Sequence, residues 1–222
     1  MREWLTYELS DFLLFSERVY WRLFTLENAA LWPMPLLAPL ALLAALTLYT
    51  RRPAGGLRLL FALLALSWFS IGSNFIMQRY APVNWVMSHA GPVFFLQAIA
   101  FATMAFIGPP RGAAPRPANN AGYALILTGT LAYPLLALLQ GRTLADAEIA
   151  GIAPDPTAVV SLGAALLTTG PWHRMAASVV PNLWLAQSAL TLYVLNGPAA
   201  LAPGLALVAG LVALIATARR LS

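Results

Sequence analysis

Residues 151–170 read GIAPDPTAVVSLGAALLTTG, an apolar run that the chain enters through a carboxylate flanked by two prolines. The apolar part, predicted over 157–172, is shorter than the roughly 17 to 25 residues of a typical transmembrane helix. It therefore predicts either a short fifth span or a re-entrant segment inside a helical bundle. The number of membrane crossings depends on which of the two it forms.

The composition of the whole chain indicates a membrane protein. Of its 222 residues, 60% are hydrophobic and only 9% are charged, whereas soluble domains carry roughly 25% charged residues. So few charges cannot cover a water-facing surface, so the lipid bilayer is the expected solvent and partner. The arginines are scattered between apolar runs and form no basic patch, which argues against a nucleic-acid partner.

Further apolar runs are long enough to cross a bilayer as helices. With the short run they predict an all-α polytopic bundle of seven transmembrane helices, and six spans plus a re-entrant segment is the alternative. We expect a single integral membrane domain over 1–222, with an N-terminal segment over 1–29 and the bundle over 30–218. The predicted spans lie near residues 30–50, 57–77, 88–108, 121–140, 157–172, 179–196 and 200–218.

The charges sort onto two sides of the seven-span arrangement. One side, called the acidic face below, receives all eight acids with five arginines, and the other, the arginine face, receives eight arginines and no acid. Because basic loops stay in the cytoplasm, the arginine face should be cytoplasmic, with the N-terminus outside and the C-terminus inside. The residues of the arginine face are Arg51, Arg52, Arg58, Arg111, Arg116, Arg174, Arg219 and Arg220.

The segment before the first span is aromatic but too charged to insert. Residues 9–33 read LSDFLLFSERVYWRLFTLENAALWP. We predict an interfacial amphipathic helix with Ser10 as its N-cap and Trp21 at the depth of the lipid headgroups. The alternative is a helix that packs over the bundle as a lid.

Several chemistries are excluded by residues that the chain lacks. It contains no lysine and no cysteine, so a Schiff base, a thiolate nucleophile, a disulfide and an iron–sulfur cluster are impossible. The two histidines, His89 and His173, fall on opposite faces, so we predict no metal site and no cofactor. We also find no convergent acid, base and nucleophile, and predict that the protein is not an enzyme. No ionisable group is expected deep within a span.

Uncharged polar side chains form stripes along several predicted spans. In the second span they recur at three- and four-residue steps, which places them on one helical face. Such stripes could line a pathway for a small polar solute or cation, although polar residues also hold helices together in membrane bundles. The candidate pathway or ligand-binding residues are Ser67, Ser70, Asn74, Gln78, His89, Gln97, Ser161, Trp184, Gln187 and Thr191.

The carboxylate between the prolines has two interpretations. Asp155 precedes Pro156, an arrangement typical of an N-cap followed by proline at the first helical position. Asp155 would then accept hydrogen bonds from the first N–H groups of the helix. Alternatively, Asp155 forms an acidic entrance together with Asp146 and Glu148, which attracts cations from outside.

The GIAPDPT element, with WLTYELSDFLLFSERVYWRLF (4–24) and LWPMPL (31–36), resembles an uncharacterised family of small bacterial integral membrane proteins, a domain of unknown function. The resemblance implies a multi-span protein of the bacterial inner membrane and implies no activity. The corresponding element of that family resembles Gly-x-Ala-Pro-Cys-Pro-Thr. Asp155 stands where that pattern has cysteine, so no thiol or soft-metal role carries over.

Two functions remain after these exclusions. The first is a channel or facilitator for a small polar solute or cation, lined by the polar stripes. The alternative is a non-catalytic membrane subunit that anchors or assembles a larger complex with a partner or with further copies of itself.

Overall fold

The computed structural model describes residues 15–109, 114–195 and 197–218. The described part of the chain is all-α, as the sequence predicts. The α-helices are α1 (Glu17–Ala30), α2 (Met34–Arg51), α3 (Pro53–Ser70), α4 (Ala90–Ile107), α5 (Arg116–Leu127), α6 (Leu136–Leu139), α7 (Pro154–Leu167), α8 (Pro171–Leu195) and α9 (Leu201–Ala218).

Two helices continue as wider π-helical segments. The helix α3 continues through Ile71–Tyr80, and α5 continues through Thr128–Ala132. A 3-10 turn, Tyr133–Leu135, then leads into α6. Because π-helical turns change the angular step between side chains, they shift the residues that follow onto a different face and often occur at functional sites.

Six helical segments are long and apolar enough to cross a membrane, which supports a multi-pass membrane protein. The predicted fifth span is not among them, so the count of seven long spans is not reproduced. The sixth predicted span begins earlier than expected, at Pro171, because proline fits the first helical turn, where no N–H bond is needed. The six segments are Met34–Arg51, Pro53–Tyr80, Trp85–Ile107, Arg116–Leu139, Pro171–Leu195 and Gly197–Ile215.

The short helix α7 lies in the centre of the bundle. All 14 of its residues are buried, and it packs against α3, α5, α8 and α9. A helix of this length is about 21 Å long, shorter than the roughly 30 Å hydrocarbon core of a bilayer. The sequence of α7 shows no polar face because protein surrounds the helix on every side.

The helix α7 runs from the acidic face towards the arginine face, parallel to α2. At its beginning, a Cβ atom on Gly151 would come within 2.8 Å of the Cβ of Ala38, near the start of α2. At its end, the hydroxyl of Tyr49, near the end of α2, donates to the carbonyl of Leu167 at 3.3 Å. The preceding loop, residues 147–153, is largely buried and so enters the bundle from the acidic face.

The helix α1 packs over the acidic end of the bundle, in agreement with the lid alternative. It buries Tyr20, Trp21, Leu23, Phe24, Glu27 and Asn28. Its N-cap is Ser16, whose Oγ accepts from the N–H of Val19 at 3.4 Å, whereas the predicted cap Ser10 lies outside the described residues. The Trp21 ring is buried beneath the guanidinium of Arg142, so it packs against protein, and its position at headgroup depth stays a prediction.

Polar contacts fasten α1 to the bundle. Glu27 is buried and forms an ion pair with Arg79 at the end of the second span. The side-chain amide of Asn28 donates to the carbonyls of Ala145 and Ala147 at 3.0 and 2.9 Å. These bonds join α1 to both the long second span and the loop that leads to α7.

The helices α5 and α7 pack closely at a point where two glycines face each other. A Cβ atom on Gly163 would come within 2.6 Å of Ile126 Cγ1 and 2.7 Å of the Gly122 carbonyl oxygen. A Cβ atom on Gly122 would come within 2.9 Å of the Gly163 carbonyl oxygen. Glycine at both positions lets the two backbones approach closely, as is common between membrane helices.

We predict that Gly163→Ala lowers the stability of the protein by about 1 to 3 kcal/mol, because the added methyl group overpacks the α5–α7 contact. The midpoint of thermal unfolding in detergent measures this effect. The matched control is Gly204→Ala in α9, since nothing lies within 4 Å of a Cβ atom at that position. Equal midpoints for the two variants would contradict the close packing of α5 on α7.

Candidate functional site

The candidate site begins at the N-terminus of α7, where the helix starts two residues earlier than predicted. Ala153 is the N-cap and Pro154, not Pro156, opens the helix. Asp155 therefore lies within the first turn, and no side chain makes a capping hydrogen bond. The prediction of Asp155 as N-cap is therefore wrong. Its carboxylate instead accepts hydrogen bonds from side chains outside α7.

The loop before α7 is held to the helix by a compact turn. Gly151 has a positive φ of 91°, a backbone conformation that favours glycine. Its N–H donates to Thr157 Oγ1 at 2.8 Å, and that hydroxyl donates to the Ala153 carbonyl at 2.7 Å. Thr157 thus fixes the entry of the chain into α7 and the position of Asp155.

Asp155 is fully buried and accepts three hydrogen bonds from neutral donors. The indole N–H of Trp184 donates to Oδ1 at 2.6 Å. The hydroxyls of Ser188 and Tyr133 donate to Oδ2 at 2.6 and 3.1 Å. Hydrogen bonds to an ionised carboxylate are stronger than bonds between neutral groups, so this arrangement stabilises the charged form of Asp155 inside the bundle.

The Asp155 carboxylate lies well below the acidic end of the spans that surround it. Tyr133 precedes the end of its span at Leu139 by about 9 Å of helix, and Trp184 precedes Leu195 by about 16 Å. No ionisable group was expected deep within a span, but Asp155, in the first turn of α7, is enclosed by the neighbouring spans. Sequence position placed Asp155 at a helix end, but the loop before it enters the interior.

A second carboxylate and two further tyrosines lie beside Asp155. Glu148 in the entering loop is 5% exposed, and Tyr20 of α1 and Tyr80 at the end of the second span are 2% and 1% exposed. Both carboxylates act electrostatically on the Tyr20 hydroxyl. We define the Asp155 cluster as Tyr20, Tyr80, Tyr133, Glu148, Asp155, Trp184 and Ser188.

Burial dominates the electrostatics of the outer part of the cluster. It raises the pKa of Glu148 well above its ordinary value, the charge of Asp155 raises it further, and Arg142 opposes both effects. Burial also raises the pKa of the Tyr20 hydroxyl, with further increases from Asp155 and Glu148. These shifts favour the neutral forms of Glu148 and Tyr20.

The guanidinium of Arg142 lies at the edge of the cluster without pairing directly with its acids. It stacks 3.5 Å from the ring centre of Trp21. It donates to the Asp146 carbonyl at 2.7 Å and to the side-chain oxygen of Gln140. In the described ranges, the ion pair within 4 Å is that of Glu27 with Arg79, so Arg142 neutralises Glu148 only from a distance.

Two buried oxygen atoms in and beside the cluster lack hydrogen-bond partners. They are Oε1 of Glu148 and Oε1 of Gln187. The amide of Gln187 donates to the Thr191 hydroxyl at 2.8 Å. Both side chains also lie within hydrogen-bonding reach of the Tyr80 hydroxyl. Buried polar atoms are usually paired, so each unpaired oxygen calls for a bound species or a functional reason.

The structure brings only some of the predicted pathway residues together. Trp184, Gln187, Thr191, Glu148 and Asp155 lie in or beside the Asp155 cluster, while Asp146 lies half-buried outside it. Ser161 accepts from the indole of Trp68 at 2.9 Å. The other candidates lie elsewhere. Ser67 donates to the Leu63 carbonyl, and Gln97 donates to the Ala176 carbonyl. The side chains of Ser70, Asn74 and Gln78 bond to one another along one helix, and His89 is exposed beside Trp85.

The cluster also contains residues that the sequence did not single out, among them Tyr20, Tyr80 and Tyr133. Tyr80 ends one π-helical segment and Tyr133 directly follows the other. Sequence periodicity assumes a regular helix and therefore misses side chains that a π-helical turn redirects. In the described ranges, no group of three or more acidic, histidine or cysteine side chains could hold a metal ion.

We predict that Ser188→Ala lowers the free energy of unfolding by about 1.5 to 3 kcal/mol, because it removes a hydrogen bond to a buried charged group. Titration with denaturing detergent measures the change. Ser178→Ala is the matched control on the same helix, since Ser178 is also buried but bonds only to the Met175 carbonyl at 3.4 Å. A loss no larger than that of the control would contradict the assigned bond.

We predict that Glu148→Gln flattens the dependence of stability on pH. A carboxyl whose pKa is raised in the folded state contributes stability below its unfolded pKa and loses it as pH rises through the folded pKa. The melting temperature of the wild type should therefore fall towards high pH. In the variant, the free energy of unfolding should depend less steeply on pH, by up to about 1.4 kcal/mol per pH unit. Asp146→Asn, in the same loop, should keep the slope. An unchanged slope in the Glu148 variant would contradict the burial of this acid.

Comparison with known proteins identifies a family but no activity. No curated protein and no solved structure matches the chain. Residues 17–221 match the model of a family described as a family of unknown function, DUF6064. The match covers α1, the long spans and α7 with its entering loop. The chain therefore belongs to the DUF6064 family, an uncharacterised family, as the sequence resemblance indicated.

Proposed function

We propose that this protein is a non-enzymatic membrane facilitator for a small cation or polar solute, and that the Asp155 cluster is its binding station. The observation that carries the proposal is the fully buried carboxylate of Asp155 inside an apolar bundle. Burying an ion costs several kcal/mol even after the protein relaxes. A bundle that served only as a scaffold would gain more stability from an apolar residue at this position.

The architecture around Asp155 supports a transport role. Irregular backbone at membrane depth is tolerated where protein buries it or where it lines a cavity. The loop 147–153 is such a segment, and it is followed by a helix too short to span a bilayer. Transporters use interrupted helices of this kind to place helix ends and backbone groups at a substrate site.

The unpaired oxygen atoms indicate the charge of the species that would bind. Glu148 and Gln187 each offer a buried oxygen without a donor. Oxygen lone pairs beside two carboxylates attract a cation or a hydrogen-bond donor and repel an anion. This chemistry favours a small cation over an anionic solute.

The lid formed by α1 favours a carrier over an open channel. Tyr20 of α1 is buried beside both carboxylates. Glu27 and Asn28 hold α1 to the second span and to the loop before α7. A species would reach Asp155 from the acidic face only after α1 moves, so we propose transport by alternating access.

We also propose the topology that fits this function. The chain would pass through the membrane seven times, six times as a long helix and once through α7, to which the loop 147–153 leads. The arginine face would lie in the cytoplasm of a bacterial cell, because arginine-rich loops are retained there. The acidic face, with Asp146 and Arg142, would then face outwards.

A membrane anchor or assembly subunit is the second candidate. The observation in its favour is the exposure of the span that contains α9, Gly197–Ile215. Only 17% of its residues are buried, the smallest fraction among the six spans. Leu205, Val208 and Val212 belong to an exposed apolar side of this helix. A second copy or another membrane subunit could pack there. Recovery of a stable complex in mild detergent, together with no flux in vesicles, would favour this candidate.

We predict that Asp155→Asn lowers solute flux by at least about tenfold, equivalent to about 1.4 kcal/mol. The variant keeps the size of the side chain but removes its charge. The measurement is flux through the purified protein in lipid vesicles, with a panel of monovalent cations and small neutral solutes. Asp146→Asn is the matched control and should transport like the wild type, because Asp146 lies outside the cluster.

Two results would reject the proposed function. The first is a wild-type protein, folded by its circular dichroism spectrum, that increases the permeability of vesicles to no member of the panel. The second is a measurable flux that Asp155→Asn leaves unchanged.

A further inference from the structure

The two carboxylates of the Asp155 cluster are held differently. Asp155 accepts hydrogen bonds from Tyr133, Trp184 and Ser188. Glu148 is buried, and its Oε1 atom accepts none. An ionised carboxylate is purely an acceptor and requires donors when it leaves water. The packing therefore stabilises a negative charge on Asp155 and gives no comparable support to a charge on Glu148.

The groups that face Glu148 make a second negative charge still less favourable. Asp155 of α7 repels it, and the buried phenols of Tyr20 and Tyr133 are electrostatically coupled to both acids. Arg142 is the cation on this side, but Trp21, Asp146 and Gln140 hold its guanidinium in place. Two carboxylates beside one guanidinium need one further positive charge to be neutral.

The packing of the cluster limits what that positive charge can be. Oε1 of Glu148 and Oε1 of Gln187 are buried without a partner. A water molecule or a hydrated ion needs a cavity of at least about 10 to 15 Å³, and these two atoms have almost no surface that a water molecule could contact. A proton on the carboxyl group needs no cavity.

We propose that Glu148 carries a proton at neutral pH while Asp155 is ionised, and that the cation handled by the Asp155 cluster is a proton. The identity of the transported cation rests on the proposed function, whereas the protonation of Glu148 rests on the packing alone. When α1 lifts, water reaches Glu148 and the O–H bond breaks. The proton then leaves to that water and Glu148 remains as a carboxylate.

Infrared spectroscopy of the full chain in lipid vesicles tests the protonation. We expect a carboxylic acid C=O band at neutral pH that shifts when glutamate is labelled with heavy carbon in its carboxyl group. The band should be absent in Glu148→Gln and present in Asp146→Asn. In Asp155→Asn it should disappear at a lower pH than in the wild type, because the repulsion between the acids is removed.

The isotope label assigns the band without any substitution, so the test does not depend on whether a variant folds. A wild-type spectrum without a glutamic acid band at neutral pH would overturn the proposal. A band that is unaffected by Glu148→Gln would overturn it as well, because another glutamate would then hold the proton.

A pH-sensitive dye inside the vesicles tests the transported species separately. We expect the wild type to move protons down a pH gradient and Glu148→Gln to do so at least about tenfold more slowly. Flux of another solute that depends on Asp155 but moves no protons would uphold the proposed function and overturn the identity of the cation. Proton flux that Glu148→Gln leaves unchanged would also overturn it.

Discussion

The position of α7 within the bundle is constrained by the hydrogen bonds to one buried carboxylate. Asp155 joins α7 to the fourth span through Tyr133 and to α8 through Trp184 and Ser188. An unpaired carboxylate at this depth would destabilise the bundle by several kcal/mol, so the three donors and the acid require one another. With the carboxylate fixed, α7 lies at the centre of the bundle and the loop before it must enter from the acidic face.

The same arrangement explains why the site is closed and polar while its surroundings are apolar. The side chains of α7 are mostly apolar, and its one charged side chain, Asp155, lies in the first turn, beside Tyr133. The lid α1 adds Tyr20 to the cluster and excludes water from Glu148. Because water is excluded, small changes in the position of α1 would strongly change the charge that Glu148 can hold.

Much of the architecture could be predicted from hydrophobic patterns and charge distribution, including the helical membrane bundle and the family resemblance. The buried position of α7 could not, because a helix enclosed by protein and a helix in lipid are both apolar on every side. The contacts within the cluster could not be predicted either, since Tyr133, Trp184 and Ser188 lie 22 to 33 positions from Asp155 in the chain. The π-helical segments before Tyr80 and Tyr133 further shifted these side chains out of the regular pattern.

The bonds made by Asn28 have a consequence for how this region can evolve. Its amide donates to the main-chain carbonyls of Ala145 and Ala147 and touches neither of their side chains in doing so. Since every amino acid supplies the same carbonyl, Ala145 could be replaced during divergence of the lineage while the attachment survives. Asn28 cannot be replaced in this way, so substitutions should be rare at Asn28 and more frequent at Ala145, which is exposed.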